Sequence, residues 1–357
     1  MVEWKKLGEV ANLVRGKVIS KDFIRDNAGI YPVYSSQTAN DGVLGYIDSY
    51  MFDGDFLTWT TDGAYAGTIF RRKGRFNITN VCGLMDITDQ RLLQDYLYYW
   101  LSLIAKSYVQ EGMGNPKLMS NVASTILIPI PSLSEQQRIV SILDTFTSSI
   151  SNLKQQIEER RKQYEYERDL LLDLEGKEGV EMKVEDFCVL KAGKNIKADD
   201  ISEENIESHY PCFGGNGIRG FVSFYSHDGQ YPIIGRQGAL CGCVAWATGK
   251  FYATEHAVVV TGKNMVCQRF LLHLFQYANL NQYKSQGAQP GLSVAKLNEI
   301  KFFIPPLPTQ SRIVSILDTF EQSISNLEEQ LAMREKQYEY YRNQLLTFEG
   351  EEERGKT

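Results

Sequence analysis

From Leu143 to Leu174 the apolar and aromatic positions fall three and four apart: Leu143, Phe146, Ile150, Leu153, Ile157, Tyr164, Leu171 and Leu174. Arg160 and Glu167 occupy the two remaining places of that stripe. The alternation keeps one face of a helix apolar through about five heptads. The same frame returns at Leu317, Phe320, Ile324, Leu327, Leu331, Arg334, Tyr338, Tyr341, Leu345 and Phe348. Ser134 with Gln137 predicts a capping box after Pro131, Thr309 a cap after Pro308, and Gly176 and Gly350 C-terminal stops. Each helix should then run ~40 residues and ~60 Å. A stripe of that length needs a partner, and the other copy is the available one.

The two helices belong to a longer repeat. RIVSILDTF at Arg138–Phe146 recurs letter for letter at Arg312–Phe320, and weaker echoes pair Gly63 and Gly67 with Gly238 and Gly242, and Asn115-Pro116 with Gln289-Pro290. The period far exceeds the ~20–50 residues of a solenoid unit, so the chain is a duplicated half-molecule. Before each helix lies a different texture. Gly- and aromatic-rich runs such as YPVYSSQTANDGVLGYIDSY and YPIIGRQGALCGCVAWATGKF alternate short strand patterns with turn residues. LLQDYLYYWLSLIAKSYV and CQRFLLHLFQYANL read as helices late in each segment. The predicted fold class is α+β: two similar mixed domains, 1–133 and 177–307, separated by two long antiparallel coiled-coil helices, 134–176 and 308–350. The tail, 351–357, is expected to be disordered.

At 357 residues the chain exceeds the size at which a single core stops growing, in keeping with two domains. No apolar run approaches the ~20 residues of a membrane helix, and MVEWKK lacks the apolar stretch of a secretory signal, so a cytoplasmic protein is expected. Six scattered cysteines fit reduced, buried thiols. Cys241-Gly-Cys243 with His256 lacks a second ligand pair at zinc spacing, and no metal site is expected. The net charge of −6 is unevenly placed: residues 1–127 hold 13 basic and 13 acidic side chains and residues 183–303 hold 12 and 10, so the excess acid sits in the repeats and tail. Two near-neutral domains can bind a polyanion if their cations gather on one face.

Signatures of catalysis are missing. Every Gly-Lys pair lacks both the upstream glycine and the following hydroxyl residue of a phosphate cradle. The only Pro-Pro, Pro305-Pro306, lies in FIPPLP rather than in a flipped-base motif, and Glu181-Met-Lys183 falls at a domain boundary. Gly214-Gly215-Asn216-Gly217 opens no long amphipathic helix, and the four histidines pair with no nucleophile. The expectation is a chain with no catalytic residues and no cofactor of its own.

Contact chemistry is what remains. Phe70–Phe76 places Arg71, Arg72, Lys73 and Arg75 on what reads as a hairpin tip, within reach of phosphates or base edges. Thr60 and Thr61 in TWTTDG, and Arg236 and Gln237 in IIGRQG, set hydrogen-bonding side chains beside glycines at equivalent places. Arg pairs bidentately with guanine and Gln with adenine, so differing residues on one repeated frame suit two domains that read different bases. Asn115, Lys117, Gln286 and Gln289 lie in polar Gly-rich loops, and Asn216 and Arg219 in YPCFGGNGIRGFV. On the helices, Lys162, Gln163 and Tyr166 match Lys336, Gln337 and Tyr340 but fall off the paired stripe; a partner docking twice accounts for them, as does a duplication that has diverged little.

IPIPSLSEQQRIVSILDTF and IPPLPTQSRIVSILDTF, supported by YPCFGGNGIRGFV and IIGRQGALCGCV, make almost the whole chain resemble the DNA-specificity subunits of type I restriction-modification systems. SSQTANDG in the first domain departs from the GGNG of the second by four extra residues. The resemblance implies that each domain recognises half of a bipartite double-stranded DNA target and that the helices dock two methyltransferase subunits. It also implies restriction subunits in the full complex, with S-adenosylmethionine, ATP and Mg on the partners. Two equal antiparallel helices would relate the domains by a pseudo-twofold, as half-sites of opposite orientation require. The rival readings are a coiled-coil scaffold joining two domains that bind no DNA, and a stand-alone nuclease or methylase with degenerate motifs.

Overall fold

The computed structural model describes residues 2–111, 115–238, 240–285 and 290–348. The chain divides into two compact units, Met1–Asn152 with Leu331–Thr357, and Leu153–Gln330. Both long helices are shared between units, so each unit combines one variable domain with half of each helix.

Unit 1 contains β1 (Glu3–Lys6), β2 (Ala11–Arg15), β3 (Ala28–Tyr34), β4 (Val43–Ile47), β5 (Phe52–Thr60), β6 (Ile69–Ile78), β7 (Cys82–Ile87) and β8 (Leu127–Ile130). Six of them form one sheet in the order β2-β7-β5-β6-β3-β4, in which only β3 and β6 run parallel. The remaining two, β1 and β8, pair as a separate ribbon. Because successive strand residues face opposite sides, β5 and β7 feed two cores at once. Leu57, Trp59 and Met85 pack with Tyr96, Tyr99 and Trp100 of the helix Gln94–Ile104, while Phe76, Ile78 and Leu84 fill the other side with Phe52, Phe56 and Tyr34. The polar ends of the buried rings are met: Trp59 Nε1 donates to Leu118 O at 2.9 Å and Trp100 Nε1 to Leu127 O at 2.9 Å.

Unit 2 repeats the plan with β9 (Val180–Lys183), β10 (Cys188–Ala192), β11 (Tyr210–Gly214), β12 (Gly217–Val222), β13 (His227–Gly235), β14 (Val244–Ala253), β15 (Ala257–Gly262) and β16 (Lys301–Ile304). The sheet order is β10-β15-β13-β14-β11-β12, position for position that of unit 1, and β9 pairs with β16. In both units the central hairpin is kinked by facing glycines. Gly54 (φ +146°) lies opposite Gly74 (φ +79°), and Gly229 (φ +140°) opposite Gly249 (φ +72°). Such pairs let a sheet curl sharply, and an aromatic ring two residues on, Phe56 or Tyr231, covers the first glycine of each. The Glu181-Met-Lys183 run lies in β9 and is held by ion pairs, Glu181 to Lys301 at 3.0 Å and Lys183 to Glu299 at 2.6 Å.

The long helices span Leu133–Leu172 and Leu307–Leu345. The first begins earlier than the capping box predicts: Ser132, not Ser134, is the cap, its hydroxyl accepting from Glu135 N at 3.3 Å. In the second, Thr309 and Gln310 donate to Pro306 O and Pro308 sits in the first turn, where its missing N–H costs nothing. Gly176 does not end the first helix directly. Leu172 and Leu174 are both drawn into the core of unit 2, so the helix stops at Leu172 and Gly176 (φ +72°) serves the turn that follows. Gly350 and the tail 351–357 lie outside the described residues.

One polar residue ties each helix start to its domain. Gln136, fully buried, donates to Arg91 O at 2.7 Å and Pro131 O at 2.9 Å while its Oε1 accepts from Leu93 N at 2.8 Å. Gln310 does the same with Met265 O, Pro305 O and Cys267 N. Farther along, the helices pair antiparallel in each unit with reciprocal residues. In unit 1, Phe146 meets Tyr338 at 6.5 Å between ring centroids, under the Arg334 guanidinium at 5.7 Å. In unit 2, Phe320 meets Tyr164 at 6.4 Å under Arg160 at 5.7 Å. Arg160 thus occupies its seam position as a cation over a ring.

Candidate nucleic-acid interface

The β5–β6 connection, residues 61–68, and the β13–β14 connection, described at residues 236–238 and 240–243, are the true hairpin tips. Each is stitched to a second loop. In unit 1, Gly63 N donates to Pro116 O at 3.0 Å and Leu118 N to Thr61 O at 2.9 Å; in unit 2, Gly238 N donates to Pro290 O at 3.1 Å and Leu292 N to Arg236 O at 2.8 Å. The fold therefore gathers Thr60, Thr61, Asn115 and Lys117 at one edge of unit 1. Asp62 stands among them, 3.7 Å from Lys117 Nζ and 4.0 Å from Arg15 Nη2, so Arg15 joins the group. Thr60 and Thr61 are buried, and their hydroxyls bond to Tyr65 O and to Asp62 Oδ2, shaping the loop rather than facing outward.

In unit 2 the tight β11–β12 turn closes on the same edge. A Cβ on Gly215 would lie 2.6 Å from Gln237 O, and one on Gly235 only 2.0 Å from Gly215 O, so the two chains touch through bare backbone. Asn216 is exposed on that turn, Arg219 is exposed on β12, Gln237 is exposed and Arg236 half-buried. Gln286 and Gln289 lie outside the described residues. The tip's sulfurs are used internally: Cys241 is buried, and Cys243 Sγ donates to Gly215 O at 3.4 Å with burial pushing its thiol pKa up.

The four cations of Phe70–Phe76 are not on a hairpin tip. They lie within β6, opposite β5, because Gly74 marks the kink and not the turn. Arg71 reaches Asp95 at 2.8 Å and Asp144 at 3.2 Å, with the rings of Tyr98 and Tyr99 beneath it. Arg72 is 2% exposed, bonded to Asp41 at 2.7 Å and to Thr58 Oγ1, and lies 3.6 Å above the Tyr34 ring. It is shut away from any phosphate, and what it holds is the loop carrying the four extra residues of unit 1, in which Asn40 and Asp41 have φ of +49° and +53°. Arg75 pairs with Asp53 at 2.9 Å, and Lys73, 3.8 Å from Asp55, keeps its side chain 86% exposed.

The equivalent of Tyr99 and Asp144 in unit 2 is His273 with Asp318, 2.8 Å apart, and Glu321 lies beside them. These three place donor atoms within 4.8 Å of one another, yet Arg269 already bonds both carboxylates and so takes the position a cation would need. Sequence reading missed this junction, and missed Gln136, Gln310 and Arg15. It also missed Glu255, and weighed His256 only as a zinc ligand, whereas the backbone of His256 meets the unit 2 tip, its O accepting from Arg236 N at 2.9 Å. The strand order that sets β15 beside β13 is the signal that would have found them.

On the helices all six off-stripe residues are exposed. Lys162 pairs with Glu158 along its own helix at 2.6 Å, and Tyr166 and Tyr340 are 68% and 57% exposed. Among the described residues no helix is long and apolar enough to cross a membrane.

Comparison with known proteins fits this geometry. The family profile described as "Type I restriction modification DNA specificity domain" matches residues 1–160 and again 177–333. The type I restriction enzyme EcoprrI specificity subunit of Escherichia coli is 45% identical over 208 residues, a match covering 56% of this chain and 52% of that one. A chain of Mycoplasma pneumoniae described as a type I specificity subunit is 29% identical over 358 residues, 96% of each. Among solved structures, the S subunit of a type I restriction-modification system from M. genitalium superposes with a TM-score of 0.73 at 17% identity, over 97% of both chains.

Proposed function

Since this chain belongs to the type I restriction-modification DNA specificity family and is a specificity subunit, we propose that each unit reads one half of a bipartite duplex target and that the chain directs methyltransferase and restriction subunits to it. The carrying observation is one frame used twice with different side chains at its tip. Thr61 and Asp62 in unit 1 stand where Arg236 and Gln237 stand in unit 2, on hairpins of the same register. Base edges in the major groove are told apart by such differences in donors and acceptors. Lys73, Lys117 and Arg15 in unit 1, and Arg219 and Lys250 in unit 2, supply exposed cations that would neutralise phosphates without encoding sequence.

The chemistry belongs elsewhere in this reading. S-adenosylmethionine, ATP and Mg are held by partner subunits, and Lys162, Gln163 and Tyr166 with Lys336, Gln337 and Tyr340 are the surfaces on which two methyltransferase subunits dock. Sequencing methylated sites in cells that express the chain with its cognate methyltransferase tests the proposal. A split motif with two specified halves and an unspecified gap is expected. Methylation at a continuous motif would overturn the two-unit reading, and failure of the complex to bind any duplex at low salt would return the chain to a scaffold.

A further inference from the structure

Three polar atoms beside the unit 2 tip are buried with no hydrogen-bond partner: Arg236 Nε, Glu255 Oε2 and His256 Nδ1. They belong to one constellation. Arg236 N donates to His256 O at 2.9 Å, and His256 Nε2 lies 3.0 Å from Glu255 Oε1, while the Glu255 and His256 side chains each remain about one-third exposed, at 34% and 33%. Each unmet polar atom is costly in the free protein, and each is a group that a bound partner could satisfy.

The shared fold does not require these groups. On the repeated frame unit 1 has Thr61, Asn80 and Val81 at the three places, and there Thr61 N bonds to Val81 O just as Arg236 N bonds to His256 O. The backbone contact is common to both units and the charged side chains are not. A carboxylate that can only accept, on the same edge as a guanidinium that can only donate, matches one base pair best in the major groove. Guanine offers two adjacent acceptors, O6 and N7, and its cytosine partner offers the N4 donor.

We propose that Arg236 and Glu255 together read a guanine·cytosine pair in the half-site of unit 2, Arg236 bonding guanine and Glu255 accepting from cytosine N4. His256 is a positioning residue that donates through Nε2 and aims the carboxylate. The inference rests on the DNA-reading role proposed above and names the base pair that role leaves open.

The test uses the assembled complex with its methyltransferase, on duplexes bearing the motif found by sequencing methylated sites. The half-site of unit 2 is the one left unchanged when residues 1–130 are exchanged for those of a relative. It should contain a guanine·cytosine pair at which 7-deazaguanine, which lacks the N7 acceptor, weakens wild-type binding about tenfold. Glu255→Gln should lose about tenfold of its preference for cytosine over adenine at that pair, with discrimination in the other half-site intact. Should that variant not fold, the 7-deazaguanine duplexes decide the matter on the wild-type protein. A unit 2 half-site without a guanine·cytosine pair, or 7-deazaguanine without effect at every guanine in it, would overturn the assignment while leaving DNA reading standing. A wild-type complex that discriminates no sequence would overturn both.

Discussion

Gln136 accepts one backbone hydrogen bond and donates two inside the core of unit 1, and Gln310 repeats the arrangement in unit 2. Replacing either by Leu keeps the volume but strands a backbone N–H and two carbonyls, each costly when buried, so we expect a loss of about 2–5 kcal/mol in unfolding free energy. Thermal and urea unfolding of the single variants should show similar losses, since the two sites are built alike. Burial also pushes the Cys82 and Cys188 thiols up to about 12. The folded state therefore keeps protons that the unfolded chain releases near pH 8.5–9, and stability contributed by each thiol is present below that point and lost as pH rises towards 12. The slope should be ~1.4 kcal/mol per pH unit for each. Neither thiol should react with iodoacetamide in native protein at pH 8, and rapid labelling of both would show that the cores open readily. Sequence alone pointed to buried thiols but not to the glutamines, because a polar residue on a helix reads as solvent-facing until the loop it bonds is known.

At the scale of elements, the heptad stripe was legible because period and length agree over many turns, and even the cations in it proved to be seam residues. The central hairpins were not. Phe70–Phe76 reads as a tip since Gly74 follows a run of cations, whereas the register of β5 with β6 makes that glycine half of a kink, sets Arg71 against Asp95 and Asp144 and turns Arg72 inward. The reciprocal seam gives a sharper prediction. In double-mutant cycles, Phe146→Ala with Tyr338→Ala should couple by about 0.5–1.5 kcal/mol, and Phe320→Ala with Tyr164→Ala by the same amount within error. Unequal couplings would mean that the two halves of the seam have drifted apart in function. For the outward faces, replacing Lys162, Gln163 and Tyr166 together should leave unfolding within ~0.5 kcal/mol of wild type. Light scattering should then find one methyltransferase per chain in place of two, and an unchanged assembly after both trios are replaced would put the docking surface elsewhere.

For the whole molecule, the duplication made the fold class readable in the sequence, since two halves with one pattern must fold alike. The loops that carry recognition were readable only in outline, because the side chains that differ between halves are the ones no internal comparison can interpret. Exchanging residues 1–130 for those of a relative should change one half of the methylated motif and leave the other, as read from sequenced methylated sites. A change in both halves would show that the units do not read independently. The division of the chain also bears on the order of its synthesis. Unit 2 is one continuous stretch, Leu153–Gln330, but the core of unit 1 is completed by Leu345, Leu346 and Phe348, which pack with Trp4 and Trp100. At ~5–20 residues per second a ribosome reaches them roughly 10–40 s after Asn152. During that interval the first domain to emerge waits with its apolar face uncovered, and the second domain can close first.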